Sequence, residues 1–398
     1  MISFYIHIPF CKTKCNYCNF FVVPFDKIKN SEEYIQNYQE MLKSWIYYYA
    51  ESFADIPVKT IYFGWWTPLL LGKDKIFELI DLIQEKFDLS YLEELSFELN
   101  PDPFREVLDF VESANKKYKN FFRIRYSFGI QTFDDNILKS SGRNYVFNNL
   151  MIFLRQLRNY KLGNNVFNFD FISFWTIKDW YKIKHNFLEN FVESWFADSF
   201  SLYTLELFPG SYWYYSNQQF FDKEEEIYYE FEYIKNLLFS SWYKRYEISN
   251  FEKAWRRSLH NMVYRTMWNY IWLGSKASSF LNYELGSRIF DVNNGNAWGI
   301  RFENKTNIKN DNNFINPRTI EELTSQDFLV EELFLGLRTD QGISSFERYQ
   351  DVLVDNWQSI LEDFVNQWFV ERKDEKIILT DSWMDLYNHL ITSLIKDF

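Results

Sequence analysis

The chain contains three cysteines, and all of them fall between Tyr5 and Phe20, in the stretch YIHIPFCKTKCNYCNF. Cys11, Cys15 and Cys18 are spaced C-x3-C-x2-C. Three thiolates on one loop can each ligate one iron of a [4Fe–4S] cube, for which four cysteines are the usual complement. One iron then stays open, and a small chelating molecule can complete its shell. A Cys3His zinc site with His7 is a second reading, but a histidine four residues upstream of such a run is not a usual zinc spacing. A disulfide framework fails on the odd count and on the lack of a secretory context.

At 398 residues the chain exceeds one average domain, although an α/β barrel alone can run to about 250. A hydrophobic share of 47% and a charged share of 25% suit a soluble globular protein. The net charge is −12 and no basic stripe is visible, which argues against a nucleic-acid partner. The first residues run straight into an apolar strand without a basic n-region. No apolar run approaches the ~18 residues that span a bilayer. The expectation is a cytoplasmic chain with reduced thiols and no transmembrane segment.

Six β-rich runs alternate with helical patterns. They lie at 3–8, 58–63, 95–99, 123–130, 165–172 and 200–207, and three of them end in or just before a proline. Helices are expected near 31–52, 73–88, 102–119, 133–140, 144–160 and 222–239. Strands alternating with helices mean βαβ units and a parallel sheet. Six units suit an α/β fold, a partial (β/α)6 TIM-type barrel with ligands at the C-terminal strand ends. The barrel core is expected over 1–240, and a segment opening at YEISNF with an exposed polar connection over 241–316. A smaller, mostly helical and winged-helix-like domain is expected over 317–398. In it, the run from Pro317 reads as helical, with further helices at 345–354, 357–366 and 383–396 and a lone strand at 376–380.

The C-x3-C-x2-C run resembles the signature of radical S-adenosylmethionine (SAM) proteins. Four further motifs narrow the resemblance: Glu98-Leu99-Asn100-Pro101, Ser127-Phe128-Gly129-Ile130-Gln131, YEISNF at 246–251, and His260-Asn261. Together with YxHIPFC they are similar, over nearly the full length, to the coproporphyrinogen III oxidase-like radical SAM family and to its haem-chaperone branch. The resemblance implies a [4Fe–4S] cluster on Cys11, Cys15 and Cys18, SAM on the open iron, an electron donor for the cluster, and haem as ligand. Tyr5 and Tyr17 would flank SAM, and the turn Gly64, Trp65, Trp66, Thr67 would approach its methionine. Glu98 would take the ribose hydroxyls, and Gln131, Arg143 and Asp170 would line the same pocket. Each has a plainer alternative: Glu98 or Asp170 as a helix cap, Arg143 in a surface ion pair. His260 is a candidate haem ligand by resemblance, and a satisfied buried polar group by residue type. Here the stretch reads HNMVYR, with Arg265 where the family has tryptophan.

Two departures stand out. The family has Gly-Gly-Gly-Thr-Pro where this chain has Gly64-Trp65-Trp66-Thr67-Pro68. A glycine-rich turn needs positive φ and close ligand approach, and an indole there would fill the cofactor pocket. Trp242, Trp255, Trp272, Trp368 and Trp383 also stand where the family has glycine. The chain has 12 glycines and 15 tryptophans, where about 7% glycine would give roughly 28. These positions read as glycine encoded by UGA and translated as tryptophan. The second departure follows the fifth strand. There Ile172-Ser173-Phe174-Trp175-Thr176 replaces a longer Gly-Leu-Pro-Gly-Gln-Thr stretch.

The leading function is a haem chaperone that delivers haem to client proteins. An oxygen-independent coproporphyrinogen III dehydrogenase is the alternative, but its motif ends in a fourth cysteine where Phe20 stands, and it carries an extension ahead of the first strand. An inactive iron–sulfur protein is the third possibility, and Trp65 and Trp66 taken literally favour it.

Overall fold

The computed structural model describes residues 1–65, 67–118, 122–174, 181–194, 196–216, 223–253, 255–275, 277–291, 297–304, 317–373 and 376–395. The six expected strands form: β1 Ile2–His7, β2 Val58–Gly64, β3 Glu94–Leu99, β4 Arg123–Gln131, β5 Val166–Ser173 and β6 Ser199–Thr204. Each pairs in parallel with the next in sequence, as helical crossovers require. Beyond β6 come two antiparallel strands, β7 Lys244–Glu247 and β8 Asn250–Glu252. On the other side of β1, β9 Tyr270–Leu273 adds in parallel. β10 Ser278–Asn282, β11 Gly299–Asn304 and β12 Pro317–Leu323 continue antiparallel. The sheet has 12 strands in the order β12-β11-β10-β9-β1-β2-β3-β4-β5-β6-β8-β7. Among the described residues β6 does not pair with β1, so this is an α/β, partial TIM-type barrel left open.

The period of two along each strand separates two surfaces. Phe97, Phe128, Phe169 and Phe200 face outward and join one apolar core with the crossover helices. Helix Ser31–Phe53, for example, buries Tyr38, Met41, Leu42, Trp45 and Tyr49, a stripe at helical spacing. The alternate positions are polar: Tyr5 on β1, Tyr62 on β2, Glu98 on β3, Arg125 and Ser127 on β4, Asp170 on β5, Ser201 on β6. All of them line one cavity. A sheet whose first and sixth strands share a cavity must curve around it.

Four expectations near the C-terminus need correction. Residues 317–323 are strand, not helix. Helix Ser325–Gly336 starts only at Thr324, which with Asp327 forms a capping box, and that cap fixes the boundary. Ahead of it, pairing with β11 and the Arg301–Glu321 ion pair at 2.6 Å outweigh the weak helical preference of the glutamates. Over 345–354 only one 3-10 turn forms, Glu347–Tyr349. Lys376–Leu379 is not a lone strand, because it pairs antiparallel with Val370–Lys373. The last helix is split into Asp381–Met384 and Tyr387–Leu394. These elements enclose a second apolar core that includes Leu333, Tyr349, Leu353, Trp383, Tyr387 and Leu390. Most of the polar connection lies outside the described residues.

Backbone geometry bears directly on the tryptophans. Trp65 (φ 87°), Trp242 (68°), Trp255 (63°) and Trp368 (61°) sit in the left-handed region, which is costly for a bulky L-residue. All four are among the positions where the sequence reads as displaced glycine. Trp242, Trp255 and Trp368 are also 79–83% exposed, so no burial of the indole offsets the strain. Trp45, Trp213, Trp268, Trp298 and Trp357, which carry no such reading, keep ordinary φ. Trp272 and Trp383 do as well. Trp66 lies outside the described residues.

Candidate functional site

The cysteine loop leaves β1 at His7, whose carbonyl accepts from the Tyr38 hydroxyl at 2.7 Å. Phe10–Cys11 and Val23–Pro24 pair in parallel across the base of the loop. Its middle is pinned to the loop after helix Asp135–Ser140: Asn16 N donates to Ser141 O (3.0 Å) and Asn16 Nδ2 to Ser140 O (2.7 Å). The three cysteines share one cleft with Thr67, Asn100, Arg143 and Tyr145. Burial, then the neighbouring sulfurs, pushes the Cys11 thiol up to about 12, and burial also raises Cys18. Cys11 and Cys18 hold their protons unless a cation replaces them, since coordination deprotonates a thiol outright. Among the described residues no three His, Cys, Asp or Glu side chains gather around one point as a single-ion site. A cube, which gives each thiolate its own iron, needs no such convergence. The donor set therefore fits a cluster with three protein ligands.

Arg143, reading as a surface ion pair in one alternative, is instead buried (9% exposed). Its Nη2 donates to the Tyr17 hydroxyl at 3.0 Å, and its Nε has no partner among the described residues. It stands between the cysteine cleft and the barrel cavity and lines both.

The barrel cavity measures about 780 Å³, large for one ligand of SAM's size and within the range of ligand sites. Tyr5, Tyr17, Trp65, Glu98, Gln131, Arg143 and Asp170 all line it. The structure thus brings together most of the residues singled out in the sequence. Tyr5 crosses β2 directly over Gly64, where a Cβ would lie 2.5 Å from the tyrosine hydroxyl; only glycine permits that approach. Glu98 is neither cap nor surface group. One carboxylate oxygen accepts from the Tyr62 hydroxyl (2.7 Å), the other from Trp65 N (2.8 Å). Asp170 accepts from Ser127 Oγ (3.0 Å) and Asn168 Nδ2 (2.7 Å), and burial raises its carboxyl above the usual range. Gln131 has φ 68° next to a register shift between β4 and β5, a strained position of the kind that gathers at ligand sites.

The Trp65 indole lies against His7 (ring centroids 4.5 Å) and Phe20 (5.0 Å), and its Nε1 donates to Phe21 O at 2.5 Å. It therefore occupies the cavity wall beside the cysteine loop. Gly64 and Thr67 flank it, and Trp66 is outside the described residues. Of the second departure, Ile172 lines the cavity and Phe174 N donates to Glu230 (2.7 Å). Trp175 and Thr176 are outside the described residues.

His260 is not brought to the cavity wall. It is fully buried, with Nδ1 2.7 Å from Thr60 Oγ1 and Nε2 2.6 Å from the Tyr264 hydroxyl. Burial holds its pKa down to about 3, so the ring is neutral and both nitrogens are engaged. In this arrangement it offers no lone pair to an iron.

The sequence reading missed Tyr62, Arg125, Ser127, Ser201, Tyr203, Arg245 on β7 and, from the C-terminal elements, Arg338, Asp385 and Tyr387, all of which line the cavity. For the strand residues the signal was present: polar side chains at every second position of apolar strands. For the C-terminal residues no local pattern announces the contact.

Residues 5–185 match the radical SAM superfamily. The chain is 27% identical to the haem chaperone HemW of Bacillus subtilis (strain 168), covering 100% of both chains. It is 26% identical to that of Lactococcus lactis subsp. lactis (strain IL1403), covering 99% and 97%. Similarity to the oxygen-independent coproporphyrinogen III oxidase of Salmonella typhimurium is 31% but covers 36% of this chain and 29% of the relative. Among solved structures, coproporphyrinogen III oxidase HemN of Escherichia coli matches with a TM-score of 0.75 at 18% identity, over 100% of this chain and 90% of that one.

Proposed function

We propose that this protein, which carries a radical SAM domain, is a haem-binding chaperone that passes haem to client proteins in the cytoplasm. The observation that carries the reading is the extent of similarity. The Bacillus and Lactococcus haem chaperones match from end to end, whereas the Salmonella oxidase matches over about a third of the chain. Phe20, where the oxidase motif has a fourth cysteine, agrees with it.

In this reading Cys11, Cys15 and Cys18 hold a [4Fe–4S] cluster, and SAM completes the open iron. When bound, the two supply one-electron chemistry at the sulfonium, with an electron donor feeding the cluster. The protein's own residues orient and enclose. Tyr5 and Tyr17 flank the cofactor, and Glu98 accepts the ribose hydroxyls. Gln131, Arg143 and Asp170 close the pocket, and the turn at 64–67 approaches the methionine. The division into 1–240, 241–316 and 317–398 assigns the cofactors to the first segment, with the last two closing the cavity over the ligand.

Anaerobic reconstitution followed by haem titration, with and without SAM, tests the proposal. Stoichiometric haem binding without coproporphyrinogen turnover is expected, together with loss of cluster iron in Cys11→Ser. Coproporphyrinogen decarboxylation with 5′-deoxyadenosine release would establish the oxidase instead. A specific observation favours a further reading, that of an inert iron–sulfur protein: Trp65 stands in the cavity wall. A cluster that forms without SAM or haem binding would select it.

A further inference from the structure

We infer that Arg125 is a carboxylate-binding subsite on the cavity wall. Given the haem-binding reading, on which the inference rests, the carboxylate is a propionate of the porphyrin. Arg125 sits on β4 in the polar alternation with Ser127, Gly129 and Gln131, and all four line the cavity. It is 1% exposed, yet its Nε and Nη1 find no hydrogen-bond partner among the described residues. Nε and Nη1 carry three N–H groups between them, so this fully buried guanidinium is left with a demand for hydrogen-bond acceptors.

The nearby carboxylates do not meet it. Glu94 and Asp170 act on Arg125 through space, but both are occupied elsewhere. Glu94 pairs with Arg123 and accepts the backbone N–H groups of Leu259 and His260 at 3.2 Å. Asp170 is held by Ser127 and Asn168. Arg125 lines the cavity, so a carboxylate bound there meets a guanidinium with unused donors. A guanidinium fork matches a carboxylate in two parallel bonds, a geometry that an ammonium cannot reproduce.

Two ligands of this site carry a carboxylate: the porphyrin through its propionates and SAM through its methionine end. The methionine end is expected at the cysteine cleft, where Arg143 already stands. Arg125 lines the barrel cavity but not that cleft. The porphyrin is therefore the source to which the geometry points.

The test compares haem with haem dimethyl ester, in which both propionates are blocked, on the reconstituted full chain. Wild-type protein should bind haem about tenfold or more tightly than the ester, the scale of one charge-assisted hydrogen-bonded pair. Arg125→Gln should erase that preference while leaving cluster iron and SAM affinity unchanged, and Arg125→Lys should restore only part of it. Equal binding of acid and ester by wild-type protein overturns the inference without any variant, so a poorly folding Arg125→Gln does not shelter it. Loss of SAM affinity in Arg125→Gln with haem binding intact overturns the propionate assignment and moves the subsite to the cofactor. Absence of haem binding by wild-type protein sinks the chaperone reading itself, a result distinct from the others.

Discussion

Trp242 and Trp368 pose the sharpest question at the level of single residues. A left-handed backbone costs an L-residue roughly 1–2 kcal/mol, and their indoles are about four-fifths exposed, so neither gains burial in exchange. Replacing either by glycine should therefore stabilise the chain by about 1 kcal/mol, read from the midpoint of urea denaturation. Trp45→Gly, at a fully buried helical site, should instead cost about 3–5 kcal/mol through the cavity it leaves. Opposite signs for the same substitution would support glycine as the residue the cell inserts. UGG codons at 65 and 66 in the gene would end that idea. Trp65→Gly carries the functional consequence. It removes an indole from the cavity wall beside the cysteine loop while keeping Trp65's backbone N–H for Glu98, so SAM affinity by equilibrium binding should rise, by about tenfold.

Among the elements, helix Glu224–Ser240 offers a pH-dependent test. Glu230 on that helix accepts the Phe174 N–H at the end of β5, and burial raises its carboxyl to about 8. A raised folded pKa means the native chain binds the proton that the unfolded chain, near 4.5, releases. Its contribution is thus largest near pH 4.5 and below, and it fades as the pH climbs to about 8. Glu230→Gln should flatten that decline, so the variant's Tm should gain on wild type by a few degrees between pH 5 and 8. The strands themselves were plain in the sequence, because β-branched and aromatic runs stopped by Asn100-Pro101 or Pro209-Gly210 leave little else to form. Glu98 and Gln131 were reached through the motifs that carry them. Arg125 was not, although it lies within RIRYSFGI, since the reading stopped at strand identity and did not ask which face each residue took. Pro317–Leu323 misled for another reason: Glu321 and Glu322 favour helix locally, and only the partner strand, distant in space from any sequence cue, decides against it.

At the scale of the molecule, the second apolar core is held to the sheet by buried charge. Asp385 follows the turn Asp381–Met384 and pairs with two cations of other elements. Lys235 on helix Glu224–Ser240 lies at 2.5 Å and Arg245 on β7 at 2.8 Å. The Arg245 side chain is fully buried and that of Lys235 nearly so. Removing the carboxylate leaves Lys235 with Glu232 but takes the ion-pair partner from the fully buried Arg245, a loss on the order of 3 kcal/mol. Arg257 pairs with Asp340 at 2.8 Å across the same boundary, but that carboxylate is about one-third exposed, and exposed pairs contribute about 1 kcal/mol or less. Asp385→Ala should therefore destabilise the chain several-fold more than Asp340→Ala in urea denaturation. It should also open the 325–395 region to limited proteolysis before the barrel. Because Met384, Asp385 and Tyr387 line the cavity beside Tyr203 and Arg245, the same variant should, on the chaperone reading, lose haem affinity while the cluster iron proposed on Cys11, Cys15 and Cys18 stays constant. Equal losses of iron and haem would mean that the C-terminal elements support the whole fold and do not form a ligand wall.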